Sequence, residues 1–543
     1  MTPKDHKSAE NEFANCMISK NGIIEYVGHE IHPLVVQARE EGATALDLGG
    51  KVILPSFIDS HMHFLMFAIA LERVSLENCK SLTDIRNTIT SYAKENPEVP
   101  RILCRGWLQS TTNNKSLASM LDDLDPRPIY IDSKDLHSTW CNNAALNELG
   151  VKDMPNPTGG EIHRDENGKA SGLLSEAASL GFALPFVFKA TPMESKLSAL
   201  QTAIKAYKAA GYTGVIDMAM DEHSWEALTI IHKSGSLPLR VAAHWLIHPT
   251  ATPEEAISQV DRVIELHSQY NLQTSPDLRI AGIKIITDGV IDACTAHLSS
   301  PYSNGMSPPP LWSPDSLLPV IQHADGAGLQ CALHAIGDGA ITMSIDALSS
   351  LLPSDIASTK LDKRHRIEHL ELASAKDAKR LEALGITASI QPVHADPAIL
   401  GAWPDLIGHE RCKRAFAYDE FLQNGAKLAI GTDAPTSPYL PFPNLYTGTT
   451  RRSARQPQMT ETVNEEFKLS LAAAVSAATM GGARSCFLDG ITGRLEKGLS
   501  ADFVVVEVEG KDGLRPEGLL KARVVETWFK GKKVFDARDD KGV

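Results

Sequence analysis

His61 and His63 stand two residues apart in Phe57-Ile58-Asp59-Ser60-His61-Met62-His63-Phe64, just after the apolar run Val52-Ile53-Leu54. Successive side chains of a β-strand point to opposite faces, so the two imidazoles leave the same face and can grip one cation together. The pair alone does not decide between a ligand pair and two polar residues at a strand end, because the chain holds 19 histidines and neutral imidazole is only potentially a ligand. Four later strand-like stretches add to it. Ile283-Lys284-Ile285-Ile286-Thr287-Asp288 puts a lysine inside an apolar run, where an unpaired ammonium is costly. Leu333-His334, Arg366-Ile367-Glu368-His369 and Ala429-Ile430-Gly431-Thr432-Asp433 each end an apolar run with a potential ligand. One such residue has an ordinary structural reading; HxH, Lys, His, His and Asp in that order along successive strands point to a metal centre.

The elements that must carry these residues follow one pattern. Helical segments near 194–210, 315–327 and 373–384 stop at Gly211, Gly328 and Gly385, and each leads into an apolar strand. Helix, glycine stop and strand form the αβ connection of a barrel or a doubly wound sheet. Ionisable residues recur at the C-terminal ends of the strands, where a TIM barrel keeps its active site, so the expected fold is an α/β, (β/α)8 barrel. Residues 13 to about 53 and the far end, with Phe503-Val504-Val505-Val506 and Val524-Val525-Glu526-Thr527-Trp528-Phe529, read as short strands and turns. A small β-sandwich built from residues 1–53 and 485–543 around a barrel of 54–484 is the expected organisation. The stretch of about 100–190, rich in Asn, Pro and Gly, fits the βα rhythm poorly and is expected to be an insertion over the barrel mouth.

Composition narrows the function. The 543 residues carry 53 Lys and Arg against 67 Asp and Glu, a net charge of −14, which argues against a nucleic-acid partner because that needs a positive field. The start of the chain has no apolar signal-peptide core and no stretch is apolar for a membrane span, so a cytoplasmic protein is expected. The eight cysteines are scattered without a CxxC pair and suggest neither a disulfide framework nor a cysteine zinc site. The expected partners are a small-molecule substrate and, with the oligomeric state open, a second copy of the chain in a homodimer.

Together these motifs resemble the amidohydrolase superfamily, and within it the YtcJ-like branch that includes N-substituted formamide deformylases. The resemblance runs through Leu54-Pro55-Ser56-Phe57-Ile58-Asp59, Gly106-Trp107, His137-Ser138-Thr139-Trp140, Gly159-Gly160, Asp288-Gly289, Gln391-Pro392-Val393-His394, Gly431-Thr432-Asp433-Ala434-Pro435 and Gly493-Arg494-Leu495-Glu496-Lys497-Gly498. It implies one or two divalent metals, with zinc suiting the nitrogen and oxygen donors. By the same resemblance, a carbamylated Lys284 would bridge them, His61 and His63 would hold the more buried ion, His334 and His369 the more exposed one, and Asp433 would contact the buried ion and act as general acid/base. The implied reaction is hydrolysis of a carbon-nitrogen bond of a non-peptide amide, an N-substituted amide or formamide, by metal-bound hydroxide. A deaminase or cyclic-amide hydrolase on the same barrel is the alternative. His137, Trp140, His394 and Arg414 match positions recurring in the branch and are candidate substrate contacts.

Overall fold

Eight strands follow one another in a single sheet in sequence order: β1 (Phe57–Met62), β2 (Tyr212–Met220), β3 (Arg240–Leu246), β4 (Leu278–Ile286), β5 (Gln330–Ala335), β6 (Arg366–His369), β7 (Thr387–Ile390) and β8 (Lys427–Ile430). Every neighbouring pair is parallel. The computed structural model describes residues 14–134, 136, 138–157, 160–351, 362–510 and 513–539, and His137 and Gly159 lie outside them. Parallel strands covered by helices are buried on both faces and read as apolar runs; all of β4, Leu-Arg-Ile-Ala-Gly-Ile-Lys-Ile-Ile, is buried except its last residue. That burial is what brings Lys284 inside.

The sheet closes at its ends through a turn. Past β8, the N–H groups of Thr432 and Asp433 donate to His61 O at 3.2 and 2.6 Å, and His63 N–H donates to Ala434 O at 2.9 Å. Gly431 permits this approach, since a Cβ there would stand 2.4 Å from His61 N. The helices outside the sheet begin and end as the sequence predicts: Met193–Ala210 stops at Gly211 in the left-handed region, and Pro314–Gly326 is followed by Gly328 at φ 80°. The third expected helix is two single turns, Ala375–Ala378 and Arg380–Ala383, before Gly385.

Strands from both chain ends pair with each other. Val52–Pro55 lies antiparallel to Phe503–Glu507, which pairs with Arg523–Phe529 and that with Lys532–Asp536. The hairpin Cys16–Lys20 and Ile23–Gly28 forms a second sheet, and Ile24, Ala501, Phe503 and Val505 share one apolar cluster with Met17, Val27 and Ile53. The segment following residue 481 belongs to the barrel floor: Ala483, Cys486 and Leu488 pack with Ile58, Ile216, Ala242 and Ala332, so the expected boundary at 484 runs through a plug.

The insertion is larger than the expected 100–190. A six-stranded sheet takes in Val74–Ser75, Ile102–Trp107, Ile129–Ser133, Ser138–Cys141, Ala170–Glu176 and Gly160–Arg164, so it starts near residue 73. The helix Leu82–Glu95 covers it with Ile85, Ile89 and Ala93. It touches the loops at the barrel mouth, where Thr295 Oγ1 donates to Glu176 Oε1 at 3.4 Å. Among the described residues no helix is long and apolar enough to cross a membrane.

Candidate metal centre

Strand ends bring together six of the expected residues. His61 lies next to the end of β1 with His63 just beyond it, Lys284 lies in β4, His334 in β5, His369 ends β6 and Asp433 follows β8. His61 Nε2 and His63 Nε2 stand 3.3 and 3.0 Å from the same oxygen, Asp433 Oδ1. The His369 ring centroid lies 4.9 Å from that of His61 and 4.4 Å from that of His334. Ligand-type atoms of His61, His63 and Asp433, and separately of His369, His394 and Asp433, lie within 4.8 Å of one another.

Backbone strain helps to aim this set. Asp433 has φ 59°, and His369 and Leu370 have φ 75° and 55°, conformations uncommon for residues other than glycine that tend to cluster at functional sites. On β6, alternation places Arg366 and Glu368 on one face and sends His369 to the other. The left-handed turn at His369 brings its ring back among the others.

Glu368, which the sequence reading left unassigned, holds His61. His61 Nδ1 lies 2.7 Å from Glu368 Oε2, and Arg366 donates to both carboxylate oxygens at 2.8 and 3.2 Å. Burial pushes the Glu368 carboxyl up, but Arg366 and His61 outweigh it and hold it well below the usual range. An ionised carboxylate only accepts, so the neutral His61 ring carries its proton on Nδ1 and leaves Nε2 bare. Asp59 has a comparable part. Two residues before His61, it accepts from Thr432 N–H at 2.9 Å, Thr432 Oγ1 at 2.6 Å and Tyr207 OH at 3.0 Å, fixing the turn that presents Asp433. Asp288 accepts from the N–H groups of Ile336, Gly337 and His297 and ties the loop after β4 to the one after β5. Same-face spacing could have pointed to Asp59; nothing local marks the reach of Glu368 across the barrel.

The electrostatics suit a cation. Burial, then the Lys284 ammonium, lowers the His61 ring, while burial and neighbouring rings or Lys284 hold His334 and His369 well below their ordinary value. Burial pushes Asp433 up, yet His61 and His63 keep it well below the carboxylate range. A bare ring nitrogen thus faces a carboxylate oxygen 3.3 Å away, acceptor against acceptor, an arrangement that a divalent ion between them satisfies. The residues present fit such an ion. Burial also lowers Lys284 to about 8, against the opposing pull of Glu368 and Asp433.

The remaining expected contacts separate. His394 adjoins the centre, its Nδ1 3.1 Å from Glu371 Oε1 and its Nε2 3.6 Å from Asp433 Oδ2. Trp140 does not: its ring packs on Trp107 at 5.2 Å within the insertion core, and its Nε1 donates to Leu117 O at 3.1 Å. Arg414 is paired with Glu420 Oε2 at 2.5 Å and donates to Ala373 O at 3.0 Å, outside the cluster. Beside His63 a cavity of about 30 Å³ is lined by Phe64, Met66, Asp217 and Ser224 and by Phe188 from the end of the insertion.

The sequence model of the amidohydrolase family matches residues 44–535. Protein LONG AFTER FAR-RED 3 of Arabidopsis thaliana is 28% identical, over 96% of this chain and 88% of that protein. N-substituted formamide deformylase of Arthrobacter pascens is 25% identical, over 96% of this chain and 95% of its own. Among solved structures, an uncharacterized metal-dependent hydrolase from Pyrococcus horikoshii OT3 superposes with a TM-score of 0.73 at 23% identity, covering 92% of this chain and 94% of that one. That likeness bears on the fold.

Proposed function

We propose, from the premise that this chain belongs to the amidohydrolase family, that it hydrolyses the carbon-nitrogen bond of an N-substituted amide or formamide. The observation that carries this reading is the bare His61 Nε2 set against Asp433 Oδ1 at 3.3 Å, with the His61, His334 and His369 rings all lowered by burial. One or two divalent ions, zinc by the donor set, would be held among His61, His63, Lys284, His334, His369 and Asp433. Bound there, such an ion supplies Lewis acidity for the substrate carbonyl and acidifies a water at neutral pH.

The chain's own groups then have separate tasks. Asp433 turns Oδ1 toward the two imidazoles, and its Oδ2, 3.6 Å from His394 Nε2, would take the proton of the attacking water and return it to the departing amine. Glu368 fixes the tautomer and direction of His61, as carboxylates commonly do for ligating histidines. Lys284, with its ammonium brought down to about 8, has free amine available near neutral pH; addition of carbon dioxide with loss of a proton turns it into an anionic oxygen donor. A family deaminase with a mononuclear site has no use for this lysine. The full-length match to N-substituted formamide deformylase supports the substrate class.

A turnover screen of the metal-loaded protein against N-substituted formamides, N-acyl amines, cyclic imides and ring amines tests this. Release of an amine with formate or another acid is expected; ammonia released from ring amines, with no open amide cleaved, would overturn it.

A further inference from the structure

Asp433 presents two oxygens, and each faces the Nε2 of a histidine whose Nδ1 is held by a glutamate. On one side His61 Nε2 stands 3.3 Å from Oδ1, with Glu368 behind it at 2.7 Å; on the other, His394 Nε2 stands 3.6 Å from Oδ2, and its Nδ1 lies 3.1 Å from Glu371 Oε1. Both glutamates come from the stretch Glu368-His369-Leu370-Glu371 at the end of β6. Glu371 is buried, and its backbone O accepts from the Phe416 N–H at 2.7 Å. His394 sits in the turn Pro392–Ala395, which is pinned where Val393 N–H donates to Asn444 Oδ1 at 2.8 Å. His369 completes the group. Its ring lies within 8° of parallel to that of His394 with the centroids 5.8 Å apart, and its Nδ1 is buried without a hydrogen-bond partner among the described residues. One ligand-type atom each from His369, His394 and Asp433 lie within 4.8 Å of one another.

A carboxylate on one ring nitrogen, with the other turned toward a further donor, is the arrangement that aims an imidazole at a metal ion, and two nitrogens with a carboxylate oxygen suit zinc. Burial opposes a charge on the His394 ring, but Glu371 and then Asp433 outweigh it and favour a proton there; a metal ion entering the group displaces that proton. We propose that His369, His394 and Asp433 Oδ2 form a second site for a divalent ion, weaker than the one at Oδ1, and that filling it stops turnover. It is the weaker because His394 is partly open to water, whereas His61 is fully buried. The inhibition rests on the amide-hydrolase reading above: an ion on Oδ2 occupies the oxygen assigned to proton transfer, and it competes for His369 with the group around His61 and His334, whose rings lie 4.9 and 4.4 Å away. The site itself needs only the ligand geometry.

Equilibrium dialysis of the full chain against rising zinc, with metal counted by elemental analysis and turnover of an N-substituted formamide read at each concentration, tests this. Beyond the ions retained after dialysis into metal-free buffer, one further zinc per chain should bind, and turnover should fall over the same concentration range. His394→Ala should lose that ion and keep the retained ones. Glu371→Gln, which leaves an acceptor but removes its charge, should weaken the further ion about 10–100-fold and shift the inhibition by the same factor. The two variants read the site independently, and the parent's own binding curve reads it without a substitution. Absence of a further ion in the parent, a further ion that both variants bind as the parent does, or one that leaves turnover untouched overturns the proposal. If no amide is cleaved at any zinc concentration, a further ion lost in His394→Ala upholds the site and refutes the proposed reaction instead.

Discussion

Arg366 and Glu368 sit two residues apart on β6, yet they serve opposite ends of the barrel interior. At the floor, Arg366 donates to Ser60 O at 2.6 Å, Ser389 Oγ at 2.9 Å and Ser485 Oγ at 3.1 Å. Gln330 Oε1 there accepts from His244 Nε2 at 2.8 Å and Gln330 Nε2 donates to Ser485 O at 2.9 Å, and Arg279 donates to Cys486 O. His244 Nδ1 and Arg279 Nε are spare atoms of groups already bonded elsewhere. At the mouth, a bare nitrogen and a carboxylate oxygen face each other, and strained backbone holds them there. The floor spends its polar groups on one another, which rigidifies the barrel; the mouth keeps them open for a ligand. Active sites of this fold lie at the C-terminal ends of the strands for this reason of access, while the N-terminal end serves stability.

The sharpest break between the two ends should come from Asp433→Asn. It should lower turnover about 10²–10⁴-fold, the usual cost of losing a general base, with folding stability near the parent's; parental turnover would remove Asp433 from the chemistry. Arg366→Leu should act at the other end. It strands a buried carboxylate, which costs about 3–5 kcal/mol, and a denaturation curve unchanged from the parent's would show that the floor network does not hold the barrel.

Glu368→Gln probes the link between the ends. The amide keeps an acceptor for the His61 N–H but loses the charge, so metal affinity should fall about 10–100-fold with a much smaller change in stability than Arg366→Leu gives. Equal metal affinity would mean that His61 does not depend on Glu368. The smallest effect expected is in the pH dependence of the floor. Burial, with help from Arg366, lowers His244 to about 3 from an unfolded value near 6.5. The unfolded chain therefore takes up this proton first, and stability is retained above about 6.5 and declines as pH falls toward 3. Between pH 7 and 5 the loss is on the order of 1–2 kcal/mol, and His244→Gln should flatten it; an identical slope in that variant would place the acid sensitivity elsewhere.

Much of this was legible in the residues and some was not, for physical reasons. The helix-glycine-strand units around Gly211 and Gly328 and the near-continuous apolar run of β4 announced the barrel, because buried parallel strands leave little choice of side chain. Strand periodicity predicted that His61 and His63 share a direction, and both reach Asp433 Oδ1. The same periodicity hides His369, whose placement depends on a positive φ. Glu368 was hidden by distance, since its partner His61 is 307 residues away. The insertion began too late in the reading because its first strand is only Val74–Ser75. Trp140 shows that matching a family's motif is not the same as reaching its pocket: with Trp107 it fills the core of the insertion instead.

Metal analysis after exhaustive dialysis, set beside activity on an N-substituted formamide, tests the account most directly. The parent should retain one to two divalent ions per chain; His61→Ala should lose metal and activity together, whereas His244→Gln at the floor should keep both. A metal-free parent that works at full rate, or a His61→Ala protein as fully loaded and active as the parent, would contradict the account.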